Sequence, residues 1–219
     1  ASSVSVNTTS GFSICSWTHD GGNSTIGHGL GAIPEVIITK DRNNSGSWNS
    51  YFASVGNAHR MVLQGTNAKI SSSIWNSTTP TSSVFTMNDS ITSQMIAYCF
   101  TPIKGYSKFG SYTGNGNADG PFIYTGFKPA MIILKRTDTT NNWHLADNKR
   151  LNPYNVTSAQ MYPNLANAEA EQADLDILSN GFKPRQAHAF MNASGGAYIY
   201  MAFAENPFVS STGIPATAR

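Results

Sequence analysis

Charge is what this sequence has least of. Asp, Glu, Lys and Arg make up 12% of its 219 residues, and the formal net charge is +2. The usual charged share is roughly 25%. Scattered cations at that density give no electrostatic footprint for nucleic acid. Cysteine is nearly absent. Cys15 and Cys99 are too few for a disulfide framework, and no CxxC or Cys/His cluster suggests zinc. Each lies in an apolar, strand-like run and reads as a buried free thiol, with a single bridge between them left open. Long apolar runs are missing too. None approaches the roughly 20 residues that cross a bilayer as a helix, so membrane insertion is not expected. No signal peptide heads the chain and its first residue is Ala1, so a piece of a longer protein or a processed product is expected.

Motif-borne chemistry is equally scarce. His19, His28, His59, His144 and His188 show no HxH or HExxH spacing. There is no GxSxG elbow, and the few carboxylates are isolated from one another in sequence. The chain is therefore expected not to be an enzyme and to have no catalytic residues. His28 sits among glycines, but a hydrogen-bonded strand-end histidine explains it better than a base.

Ser, Thr, Asn and Gly fill the places that charge vacates, and aromatics reach 11%. Disorder couples few aromatics with high net charge, so this mixture points instead to a turn-rich β protein with a weakly charged polar surface. The stretch 111–136, SYTGNGNADGPFIYTGFKPAMIILKR, organises the chain because 16–42 follows much the same plan. Trp48 and Trp143 lie 95 residues apart, as do Pro34 and Pro129, Ile37 and Ile132, and Lys40 and Lys135. Later matches drift, Phe85 with Phe182 at 97 and Phe100 with Phe203 at 103, as loop insertions allow. The reading is a unit written twice, 9–103 and 104–208, followed by a C-terminal tail at 209–219.

Each half carries short strand signals separated by Gly/Asn/Ser turns. The expected fold is all-β: a β-sandwich of jelly-roll, concanavalin-like type built from two sequence repeats, with at most one or two short helices. The helical candidate is 165–178, rich in Ala, Glu, Gln and Leu and free of Gly and Pro. Two packed sandwiches and one interleaved sandwich are both compatible with the pattern.

The sharpest local motif is Asn115-Gly116-Asn117-Ala118-Asp119-Gly120. Oxygen-bearing side chains at alternate positions resemble the opening of a calcium loop, which makes Asn115, Asn117 and Asp119 a calcium candidate. The acid due at the twelfth position is missing, since Gly126 stands there. A turn that accepts positive φ explains the same letters. The remaining signal is aromatic. Sugar recognition wants flat apolar faces beside short amide and hydroxyl groups, and Trp75, Tyr112 and Tyr124 stand next to such loops. Trp48 and Trp143 recur in both halves and read as core anchors, which leaves Trp75, in SIWNSTTP, as the best surface candidate. The Asn-x-Ser/Thr triplets follow from composition alone.

Taken together, GFSICSW, TIGHGLGAIPEVIITKDR, WNSTTPTSSVF, GYSKFGSYTGNGNADGPFIYTGFKPAMIILKR, LSNGFKPR and AYIYMAFAENPF resemble a module of bacteriophage tail-fibre and other phage structural proteins. The likeness spans about residues 11–208. It implies a virion-exposed or extracellular, lectin-like β-sandwich carried on a homotrimeric fibre. The expected function is a receptor-binding (adhesin) domain that recognises bacterial surface polysaccharide or lipopolysaccharide. The alternative is a non-binding structural or decoration domain of the virion, with a polysaccharide depolymerase third.

Overall fold

A computed structural model describes residues 3–150, 155 and 157–207. The protein is all-β, and among the described residues there is no helix. The chain forms two compact units, dividing between Pro102 and Ile103. The expected tail at 209–219 lies outside the described residues.

Unit 1 is built on two long strands, β2 (Phe12–Gly27) and β7 (Val84–Phe100), paired antiparallel along almost their whole length. Their inward residues alternate: Ser13, Cys15, Trp17 and His19 on β2 face Cys99, Ala97, Met95 and Ser93 on β7. This period-two pattern is what buries one face of a strand. The pairing slips between Asp20 and Gly22, a bulge in which Gly21 and Gly22 take φ of 85° and 73°. A left-handed backbone of that kind suits glycine, and a bulge bends a ribbon and increases its twist. The bend has a visible result. Trp17, before the bulge, meets Phe85, which pairs beyond it, edge to face at 5.9 Å. The two ends of the ribbon thus enclose one core with Leu30, Ile37, Tyr51, Ile74 and Trp75.

The rest of the sheet follows. β1 (Ser3–Asn7) flanks β2, and β3 (Val36–Asp41), β4 (Asn49–Phe52), β5 (His59–Val62) and β6 (Ile70–Ser71) follow on the far side of β7. Cys15 and Cys99 are buried free thiols within this unit. Their mutual hydrogen bond lowers the Cys15 thiol and raises that of Cys99.

Unit 2 is a sandwich of two four-stranded sheets. One runs β11 (Trp143–Asp147), β10 (Pro129–Arg136), β15 (Ala197–Ala204), β8 (Ser107–Thr113). The other runs β12 (Thr157–Gln160), β13 (Ala170–Leu178), β14 (Gly181–Pro184), β9 (Ile123–Tyr124). Ile132, Leu134, Tyr200 and Ala202 from the first sheet meet Ile123, Leu175, Ile177 and Phe182 from the second in one core. The first sheet repeats an order seen in unit 1. Trp17 pairs with Met95 as Tyr112 pairs with Tyr198, and Ile37 lies between Cys99 and Tyr51 as Ile132 lies between Ala202 and Ala146. Among the described residues no sheet draws strands from both units, which is not the pattern of an interleaved sandwich.

One expected element is corrected. Residues 165–178 supply strand β13, not a helix. Leu175 and Ile177 point into the core while Asp174 and Asp176 alternate with them, and pairing with β14 overrides the helical composition.

Candidate functional site

The motif at 115–120 folds as a clamped turn. Asn117 donates its backbone N–H to Asn115 Oδ1 at 3.0 Å, and Asn115 Nδ2 donates to the Asp119 carbonyl at 2.8 Å. Asn192, fully buried, closes the clamp from across unit 2. Its Oδ1 accepts the Asn115 N–H at 2.9 Å, and its Nδ2 donates to the carbonyls of Asn117 and Gln186 at 2.6 and 3.2 Å. A side chain that satisfies three backbone groups at once fixes a loop firmly. The motif's oxygens do not converge. Asn115 Oδ1 is turned onto its own loop, while the Asp119 carboxylate meets Lys183 Nζ at 2.6 Å and Arg185 Nη1 at 3.8 Å. Lys183 holds that carboxyl below its ordinary range. Among the described residues no group of three or more His, Cys, Asp or Glu side chains is placed to hold a metal ion.

This turn delivers the chain to β9, the edge of the second sheet. Ile123 is buried opposite Phe182, so its neighbours Phe122 and Tyr124 must point outward. They are 48% and 56% exposed, large values for aromatic rings. Gly181 permits the arrangement. A Cβ there would lie 2.2 Å from the Ile123 carbonyl oxygen and 2.9 Å from the Phe122 ring, so only glycine lets β9 and its aromatic approach β14. Lys108 donates to the Tyr124 carbonyl at 2.8 Å and sits over the Tyr124 ring, 5.0 Å from its centre.

Charge lines the rest of this outward face. Beyond the Lys183–Asp119 pair, Arg185 approaches Asp176 at 3.6 Å. Asp174 lies 3.3 Å from His188 Nε2 and is 2% exposed, and burial raises its carboxyl above the usual range. The His188 ring stacks on Phe190, which stacks in turn on His144. The result is two exposed aromatic rings beside the Lys183–Asp119 and Arg185–Asp176 pairs, a surface suited to stacking a ring and pairing polar substituents.

Two of the sequence candidates are not at this surface. Trp75 is 2% exposed, donates its indole N–H to the His59 carbonyl at 2.9 Å, and packs edge-on against Tyr51. Its polar neighbours form a tight turn that buries the ring, so the surface assignment is corrected to a core one. Tyr112 gives its hydroxyl to the Met191 carbonyl at 2.8 Å and stacks on Tyr198, 5.0 Å away. It supports the core and presents no open face. Trp143 is buried, and Trp48 is half-buried and stacked on Tyr98. His28 is buried: Leu30 N–H donates to its Nδ1, so Nε2 carries the proton and donates to the Thr81 carbonyl. Tyr124 and Asp119 remain on the outward face, with Asn115 and Asn117 in the turn beside it. Phe122, Lys183 and Arg185 were missed, and the signal for Phe122 was its spacing of two from Tyr124.

The sequence also gave no hint of a cleft in unit 1. It encloses about 440 Å³ and is lined by Gly22, Arg60, Ser72–Ile74 and Asn88–Ser90. The cleft opens where the bulge displaces β2 from β7, so residues distant in sequence meet only because the ribbon bends.

The chain belongs to the family described as Domain of unknown function (DUF7483), whose model matches residues 1–207. No curated protein and no solved structure matches it. No helix among the described residues is long and apolar enough to cross a membrane.

Proposed function

We propose that the chain is a receptor-binding domain of a phage tail fibre or phage-like fibre, and that it recognises bacterial surface glycan on the outward face of unit 2. The observation that carries this reading is the pair of exposed rings, Phe122 and Tyr124, two residues apart at the sheet edge. Rings that stabilised the fold would be turned inward, as the neighbouring Ile123 is. Solvated aromatic faces have a hydrophobic and stacking surface left to use. Sugar rings offer apolar C–H faces to such planes and hydroxyls to flanking amides and charges. Asn117, Asp119, Lys183 and Arg185 supply those flanks. The low formal charge fits an uncharged or sparsely charged ligand, and the phage-module resemblance fits a homotrimeric fibre exposed on the virion.

The test is a glycan array probed with the whole chain and with a Phe122→Ala/Tyr124→Ala variant. The wild type is expected to retain a subset of bacterial polysaccharides, and the variant to lose roughly tenfold or more in affinity with its melting temperature preserved. A wild type that binds no glycan, or a variant that binds equally well, overturns the reading.

A further inference from the structure

The cleft is lined by residues of unit 1 alone, and its chemistry differs from that of the proposed glycan surface. Its ionisable lining is one guanidinium, Arg60, and one carboxylate, Asp89. Arg60 Nη1 donates to Asn49 Oδ1 at 3.1 Å, while its Nε is buried with no hydrogen-bond partner among the described residues. A guanidinium carries five N–H donors, so beyond the Asn49 bond Arg60 keeps donor capacity for an anionic acceptor in the cleft. Asp89 is held from behind, its carbonyl accepting His19 Nε2–H at 3.0 Å. Among the described residues its carboxylate accepts one long hydrogen bond, 3.4 Å from the Ile91 N–H, and keeps capacity for further donors.

Ser72, Ser73, Ser90 and Asn88 add short hydroxyl and amide groups, and Ile74 gives one apolar wall.

We infer that this cleft binds a polyhydroxylated carboxylate, an acidic sugar residue, with its carboxylate on Arg60 and its hydroxyls on Asp89 and the serines. The volume falls within the roughly 300–1,000 Å³ of small-molecule sites. A single cation facing a nearby carboxylate suits a monoanion. A dianionic phosphate would meet the repulsion of Asp89 with only one cation to offset it. A neutral sugar would leave the Arg60 guanidinium without an anionic partner.

The experiment titrates the ¹⁵N-labelled whole chain with glucuronate, glucose and inorganic phosphate. Glucuronate is expected to shift the amides of Gly22, Ser72, Ser73 and Ser90 to saturation, with glucose and phosphate roughly tenfold weaker or more. Arg60→Gln should weaken glucuronate by a similar factor. Because Arg60 also holds Asn49, Ser90→Tyr, which fills the cleft from an exposed position, serves as the second variant and should abolish the shifts. Glucose or phosphate binding as tightly as glucuronate, cleft amides that do not move, or unchanged binding in Ser90→Tyr would each overturn the assignment. None of these probes involves Phe122 or Tyr124, so the cleft and the sheet-edge surface stand or fall separately.

Discussion

At the scale of single residues, side-chain partners decide which sequence candidates keep a role. His28 is held neutral by burial, which lowers its pKa below 6.5. Below that pH the unfolded chain binds a proton that the folded chain resists, so stability falls as the solution is acidified. The melting-temperature gap between wild type and His28→Gln should therefore narrow from about pH 7.5 to about pH 5.5. A constant or widening gap would count against the neutral assignment. Ser77 makes a complementary case, because its left-handed backbone suits glycine better. Ser77→Gly is expected to raise stability by about 1 kcal/mol in chemical denaturation, and a loss would show that the Ser77 side chain holds the turn. Trp75→Ala should cost about 3–5 kcal/mol, which an exposed sugar platform would not. The polar letters around Trp75 mark a loop, and the chain turns there through Asn76 and Ser77. What they could not reveal is that this turn folds its indole inward, because the acceptor, the His59 carbonyl, lies 16 residues away.

At the scale of elements, period-two patterning made the fold class legible and segment composition misled. β3 and β10 stood out as continuous aliphatic runs with a proline at or near the start. β13 was hidden because its Ala, Glu and Gln residues favour a helix in isolation, whereas its register against β14 depends on residues outside the segment. The candidate site was half legible for the same reason. Tyr124 and Asp119 sit in one aromatic and Asn-rich stretch, but Lys183 and Arg185 join them only through the pairing of β9 with β14. That pairing rests on Gly181. Gly181→Ala is expected to destabilise unit 2 by about 1–3 kcal/mol and to expose the amides of β9 to hydrogen exchange. Protection unchanged from wild type would mean that β9 is held by something other than this close approach.

At the scale of the whole molecule, among the described residues the two cores have no member in common and each sheet lies within one unit. A unit with its own core and complete sheets can fold alone. Residues 1–102 and 103–219, expressed separately, should each give dispersed amide resonances, and a collapsed spectrum from either would show that it needs the other. The division also separates two kinds of surface: the sheet-edge aromatics of unit 2 and the Arg60–Asp89 cleft of unit 1. Glycan is expected to engage the first, which amide hydrogen exchange on the whole chain, with and without purified surface polysaccharide from a susceptible host, would read out. Protection is expected to rise in 119–124 and 181–185. Polysaccharide that leaves both segments unprotected, while protecting others or none, would contradict the account.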